Sequence, residues 1–184
     1  LDLDNNQIQE INEKHFNNSS NQLKRLNLSN NNLMRIDANA FKSLNRLQHL
    51  YLSSNITITD ELKLYDLCIN LSYLNEIIIL SIHSNNIKQF DFRYFKDLLL
   101  LKELYLYNNK IRKLCYTFAL LSTSLDSKPF KNLEIFNINS NNIPNFSIDI
   151  FFVKKYIEEL HLNDIPTLNM LHDLPLLKLL RVLN

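Results

Sequence analysis

The chain contains no glycine in 184 residues. Loops that cradle phosphates, of the GxGxxG or GxxxxGK(S/T) kind, need glycine for positive φ and for close backbone approach. A P-loop or dinucleotide-fold site is therefore excluded. Cysteine is nearly absent as well, with two residues, Cys68 and Cys115, and neither CxxC nor HExxH occurs. The short zinc and redox motifs are thus missing, and two cysteines do not define a redox compartment. Long apolar runs are lacking too. Runs such as Ile77–Leu80 stop at four residues, against roughly 20 needed to span a bilayer as a helix. Nor does one sign of charge dominate: Lys+Arg is 20 and Asp+Glu is 19, a formal net charge of +1. That balance supplies no electrostatic case for nucleic acid or an anionic membrane.

What is abundant is spaced leucine. Hydrophobic residues make up 46%, enough to build a packed core rather than a disordered chain. Leu23, Leu26, Leu28, Asn31, Leu33 and Ile36 follow the pattern LxxLxLxxNxLxxL. The frame returns at Leu47, Leu50, Leu52 and Asn55, and at Ile77, Leu80, Ile82, Asn85, Ile87 and Phe90. It returns again at Leu101, Leu104, Leu106, Asn109, Ile111 and Leu114, and at Leu133, Phe136, Ile138, Asn141, Ile143 and Phe146. Leu1, Leu3, Asn6, Ile8 and Ile11 form a partial first copy. Ile157, Leu160 and Leu162 form a degenerate copy with Ile165 in place of Asn, and Leu177, Leu180 and Val182 begin another. The first core residue falls at 1, 26, 50, 80, 104, 136, 160 and 180. The longer repeats cover 50–79 and 104–135, with their extra residues in Ile56–Asn70 and Cys115–Ser127.

The pattern has a physical reading. Alternation in LxL makes a short strand whose leucines point to one side. Strands of successive repeats stack in parallel, near Leu1–Leu3, Leu26–Leu28, Leu50–Leu52, Leu80–Ile82, Leu104–Leu106, Phe136–Ile138 and Leu160–Leu162. The Asn bonds backbone groups where the strand ends. No repeat buries its apolar face alone, so stability comes from neighbours. Phe16, Phe41, Phe95 and Phe151 lie fifteen residues after the first core residue, with Tyr65 and Phe118 at or near that place in the long copies. These aromatics are expected to stack as a convex spine.

The segment Leu26–Leu50, LNLSNNNLMRIDANAFKSLNRLQHL, resembles the typical 24-residue leucine-rich repeat of animal extracellular proteins. That family includes Toll-like receptor ectodomains, Slit-type guidance proteins and matrix proteoglycans. The resemblance covers nearly the whole chain, and the uneven repeat lengths are most similar to the Toll-like branch. It implies one leucine-rich-repeat domain over 1–184, an α/β repeat fold. The form is a curved right-handed solenoid with a parallel β-sheet on the concave face and an irregular or short-helical convex side. It also implies extracellular or cell-surface recognition of a protein or pattern ligand, with any membrane anchor outside this segment. The chain opens directly in a repeat, with no signal peptide and no cysteine-rich cap. It is therefore expected to be a segment of something larger, cut within a repeat at each end.

Residues between the core leucines are expected to face the concave surface. One column holds Asp2, Asn27, Tyr51, Ser81, Tyr105, Asn137, His161 and Arg181. The next holds Asp4, Ser29, Ser53, His83, Tyr107, Asn139 and Asn163. Tyr51, His83, Tyr105 and Tyr107 concentrate mid-array, flanked by His49 and Glu103, and form the candidate ligand site, since tyrosine is enriched at interface hot spots. Ser53, His83 and Tyr107 invite a nucleophile reading. No carboxylate in the next strand orients the histidine, so no catalytic residue is assigned. His49, His83 and Glu103 occupy different columns, so no metal site is assigned, and no cofactor is called for. Cys68 and Cys115 could pair only if both insertions project the same way. Of the sequons at Asn17, Asn18, Asn27, Asn55, Asn70 and Asn145, Asn55 falls on the ladder and is expected to be buried. Asn18 and Asn70 are the expected glycan acceptors in a secreted protein. The preferred reading is a binding segment, not an enzyme. An intracellular scaffold or a substrate-docking module is the alternative.

Overall fold

A computed structural model describes residues 1–16, 22–55, 67, 69–91, 95, 97–115, 132–144, 157–164 and 181–183. Its strands, in chain order, are β1 (Glu10–Ile11), β2 (Arg25–Asn27), β3 (Arg35–Ile36), β4 (His49–Tyr51), β5 (Ile79–Ser81), β6 (Gln89–Asp91), β7 (Glu103–Tyr105), β8 (Lys113–Cys115), β9 (Ile135–Asn137), β10 (Glu159–His161) and β11 (Val182–Leu183). A seven-stranded sheet runs β2-β4-β5-β7-β9-β10-β11. Every pairing in it is parallel, with Leu26, Leu50, Leu80, Leu104, Phe136 and Leu160 in register. Residues 1–3 add only a bridge, Asp2 to Asn27.

From β2 to β10 each strand of the large sheet begins one residue before the expected LxL. The last copy departs further, since Leu183 rather than Leu180 pairs with Leu160, which moves Arg181 from the expected concave column to the position before the strand. The cause of the one-residue offset is the ladder: His49 N–H donates to Lys24 O, Ile79 N–H to Gln48 O and Glu103 N–H to Ile78 O, all upstream of the first leucine. At the other end the chain bends after the second leucine. Asn5, Asn30, Ser54, Ser84, Asn108, Ser140 and Asp164 all have φ between 51° and 60°. One residue per repeat thus lies in the left-handed region, and without glycine the chain fills it with Asn, Ser or Asp. Asn and Asp tolerate that conformation best among residues with a Cβ.

The core is the predicted stack. Leu26, Leu50, Leu80, Leu104, Phe136 and Leu160 are all fully buried, as are Leu28, Leu52, Ile82, Leu106 and Ile138. Each such side chain contributes about 1.5–3 kcal/mol of transfer free energy. The asparagines of the turns form a second buried ladder. Asn31, Asn55, Asn85, Asn109 and Asn141 are all nearly inaccessible. Asn55 Nδ2 donates to Leu28 O of the preceding repeat and to Leu52 O of its own, each at 3.0 Å. Its Oδ1 accepts from Leu33 N–H at 3.3 Å. Asn109 and Asn141 repeat the scheme. One side chain therefore satisfies backbone groups in two repeats.

Two short sheets that the repeat pattern did not announce lie past the turns: β1 with β3, and β6 with β8, both parallel. On the convex side Phe16, Phe41 and Phe95 are buried, and the Phe16 and Phe41 rings lie 6.1 Å apart. Tyr65, Phe118 and Phe151 lie outside the described residues. In the long repeat at 50–79, Leu71 sits nine residues before core Leu80, as Phe41 does before Leu50, and is fully buried. Spine placement there follows the count back from the next strand rather than forward from the previous one.

Candidate functional site

Strand alternation carries the concave side chains, and register lines them up. Tyr51, Ser81 and Tyr105 are direct partners across β4, β5 and β7. Two positions further on, Ser54 N–H donates to His83 O and Ser84 N–H to Tyr107 O. Ser53, His83 and Tyr107 therefore form the parallel second column. The four predicted site residues come together, each half-buried.

They are organised as two ring groups. His83 and Tyr107 stack face to face, with centroids 4.0 Å apart and planes inclined by 11°. Burial lowers the His83 pKa from its ordinary value, which favours the neutral imidazole in the stack. Burial likewise raises that of Tyr107. His83 Nδ1 lies 3.0 Å from Ser84 Oγ. In the other group the Arg25 guanidinium lies 4.7 Å from the Tyr51 ring centroid, a cation–π arrangement. The Tyr105 hydroxyl donates to Glu103 Oε2 at 2.9 Å. Burial first, and then that carboxylate, push the Tyr105 phenol far above its ordinary value.

Between the groups lies a pair that the column reading placed at the surface. Ser53 and Ser81 are buried at 3% exposure, and their hydroxyls are 2.8 Å apart. Small side chains flanked by rings on neighbouring strands become a floor. The signal was present in the columns as serine next to tyrosine and histidine. The Ser53 hydroxyl engages Ser81, and His83 Nδ1 lies beside Ser84 Oγ. His49 and Glu103 flank Ile79 in the first column. Among the described residues no three His, Cys, Asp or Glu side chains cluster as metal ligands.

One expected site is overturned. Asn70 is fully buried. Its Nδ2 donates to Asp37 O at 2.6 Å, and its Oδ1 accepts from Phe41 N–H at 2.8 Å. It clips two convex segments together, as the ladder asparagines do at the turns, and no glycan can be attached there. Asn55 is buried on the ladder as expected. Asn18 and Cys68 lie outside the described residues, and of Cys115 only the strand placement is described. Among the described residues no helix is long and apolar enough to cross a membrane.

Comparison with known proteins finds the same repeat in part of the sequence and the same fold in solved structures. The family model for leucine rich repeats matches residues 1–56. Compared with curated proteins, the sequence has no significant match. Among solved structures, TLR13 in complex with ssRNA13 superposes over 97% of this chain and 27% of its own, with a TM-score of 0.66 and 21% identity. The functional domain of InlJ from Listeria monocytogenes superposes over 100% of this chain and 33% of its own, with a TM-score of 0.63 and 18% identity. A leucine-rich-repeat protein of Leptospira interrogans superposes over 97% and 46%, with a TM-score of 0.60 and 20% identity. The chain thus spans about a quarter to a half of the solved chains it matches. At these identities the likeness concerns the fold, and it agrees with the parallel sheet described above. Residues 1–56 thus match the leucine-rich-repeat model, and the described chain has the leucine-rich-repeat fold.

Proposed function

We propose that this chain is a ligand-binding segment of a receptor or adhesion ectodomain, and that it takes a protein ligand on the concave face at Tyr51, His83, Tyr105 and Tyr107. The observation that carries the reading is the assembly of these four half-buried rings over the Ser53–Ser81 floor. Rings held by a stack and by a hydroxyl–carboxylate bond have little rotamer freedom left to lose on binding. Such anchors near the centre of an interface commonly dominate its energy. The extracellular setting rests on the resemblance to receptor-type repeats, with any anchor or signalling domain outside this segment and Asn18 as the remaining glycan acceptor.

RNA is the second reading, because TLR13 was solved with ssRNA13 and a balanced net charge does not by itself exclude nucleic acid. Against it, the three concave columns of β5, β7, β9 and β10 contain no lysine or arginine, so nothing there neutralises phosphate.

The test uses ligands selected against the whole chain from a displayed random-peptide library. A Tyr105→Ala, Tyr107→Ala double variant should lose at least about tenfold in affinity, the scale of one or two hot spots, while keeping its thermal midpoint. Deleting Ser122–Ser127 should leave binding nearly intact. If the deletion abolishes binding and the tyrosine variant does not, the insertion is the recognition element and the concave assignment is wrong.

A further inference from the structure

The ring cluster is bordered on its C-terminal side by a repeated arrangement. In β7, Glu103 and Tyr105 flank the buried Leu104, and the Tyr105 hydroxyl bonds the Glu103 carboxylate. In β10, Glu159 and His161 flank the buried Leu160, and His161 Nε2 lies 3.3 Å from Glu159 Oε2. Between them, β9 presents Ile135, in register with both Glu103 and Glu159 and only partly buried. Two strand spacings of about 4.8 Å put the two glutamate positions roughly 10 Å apart, with an apolar side chain midway. Asn137, next on β9, turns its Oδ1 to the Asn139 N–H and so leans along its own strand.

The charges around this arrangement are matched unequally. One residue upstream, on the sheet margin, Lys102 Nζ meets Glu134 at 2.6 Å and Arg181 meets Glu158 at 3.4 Å. Those carboxylates have lysine or arginine partners. Glu103 is instead held by the Tyr105 phenol and Glu159 by the His161 imidazole. The two carboxylates lie on one stretch of the face, with Lys102 and Arg181 beside it on the margin, in a chain whose formal net charge is +1. Tyr105 feels both glutamates, which add to burial in raising its pKa.

We infer that the concave surface of β7, β9 and β10 receives a lysine or arginine side chain of a protein partner, its methylene stem on Ile135 and its charged head between Glu103 and Glu159. The inference rests on the concave-face reading above and names the partner's chemistry. A long cationic side chain matches both halves of the spot, because lysine and arginine lay an apolar stem along hydrophobic surface while the head stays polar. Arginine adds contact with the face of Tyr105, as Arg25 already makes with Tyr51 within the chain. An acidic or purely apolar segment would leave the two carboxylates uncompensated against it. Phosphate would be repelled.

The experiment uses the whole chain and three fluorescein-labelled peptides of equal length, alternating Ala-Arg, Ala-Glu and Ala-Ser, together with an oligo-uridylate. Binding is read by fluorescence anisotropy. The Ala-Arg peptide should bind at least about tenfold more tightly than the others, as local charge complementarity predicts. A Glu103→Gln, Glu159→Gln variant should lose that preference, while Glu13→Gln, which removes an exposed carboxylate outside the concave columns, should keep it. Circular dichroism checks that each variant stays folded, and Ile135→Ser, with both carboxylates intact, should also weaken the Ala-Arg peptide. Equal loss in Glu13→Gln would make the binding non-specific charge attraction and overturn the inference. So would preference for another peptide or for the oligo-uridylate, or absence of binding by all four. If library-selected peptides still depend on Tyr105 and Tyr107 while the Ala-Arg preference is absent, the concave-face reading stands and only the cationic partner is wrong.

Discussion

Asn85→Ala isolates what one rung of the asparagine ladder contributes. Asn85 Oδ1 accepts from Asn55 N–H at 2.7 Å. Its Nδ2 reaches Ile82 O at 2.9 Å, and Leu52 O and His83 O at 3.2 Å. The carbonyls are shared: Leu52 O also accepts from Asn55 Nδ2, and Ile82 O from Asn109 Nδ2. The amide has two N–H groups for these three carbonyls, and His83 O also accepts from Ser54 N–H. Truncation therefore leaves one buried N–H without its partner, at about 1–3 kcal/mol, and removes two donors whose acceptors stay satisfied, at about 0.5–1.5 kcal/mol each. The expected loss is about 2–6 kcal/mol. Urea midpoints at equal m-value measure it, with exposed Lys88→Ala as a control expected within about 0.5 kcal/mol. Asn85→Asp sharpens the test. Its carboxylate still accepts from Asn55 N–H but faces two carbonyl lone pairs, and burial raises its folded pKa above the unfolded value of about 3.9. A raised folded pKa means that stability is retained below the unfolded value and lost as pH rises through the folded one. The variant should therefore recover stability in acid relative to Asn85→Ala. A change under about 0.5 kcal/mol for Asn85→Ala would show that the ladder does not hold the repeats together.

Ser54 occupies a left-handed position at φ 55°. Ser54→Val should destabilise by about 1–3 kcal/mol, and Ser54→Asn should be neutral or slightly stabilising. The same midpoints check this, and tolerance of valine would refute the strain argument. Leu104→Ala empties a fully buried position and should cost about 2–5 kcal/mol; a neutral result in thermal unfolding would disprove the register of the core. In a spectrophotometric pH titration Tyr105 should ionise last, because burial and Glu103 raise its pKa. Its contribution to stability is present below about pH 10, the unfolded value, and is lost as pH rises toward the folded one. Tyr105→Phe should delete the last step of that titration and no earlier one.

Much of this was legible along the chain, and the reason is locality. A leucine at every second strand position, an asparagine at the turn and an aromatic beneath the outer segment are demands that each repeat makes on its own residues. Leu26, Leu50, Leu80 and Leu104, Asn31 and Asn55, and Phe16, Phe41 and Phe95 could be placed from spacing alone. The parallel register followed, because a slip would turn leucines out of the core. The left-handed residues were not foreseen. With glycine absent, Asn30, Ser54 and Ser84 looked like ordinary polar turn residues.

Tertiary structure decided what spacing cannot carry, namely which polar side chains stay open. Ser53 and Ser81 are 28 residues apart in sequence and become a buried floor only because rings from neighbouring strands stand around them. Asn70 reads as a surface sequon, yet it is buried because Asp37 and Phe41, one repeat earlier, present a carbonyl and an N–H to it. His83 and Tyr107 stack because β5 and β7 are adjacent. Repetition along the sequence thus set the core, the ladder and the columns. Contacts between residues of different repeats, whose side chains meet only once the strands are stacked, set the surface that a ligand would meet.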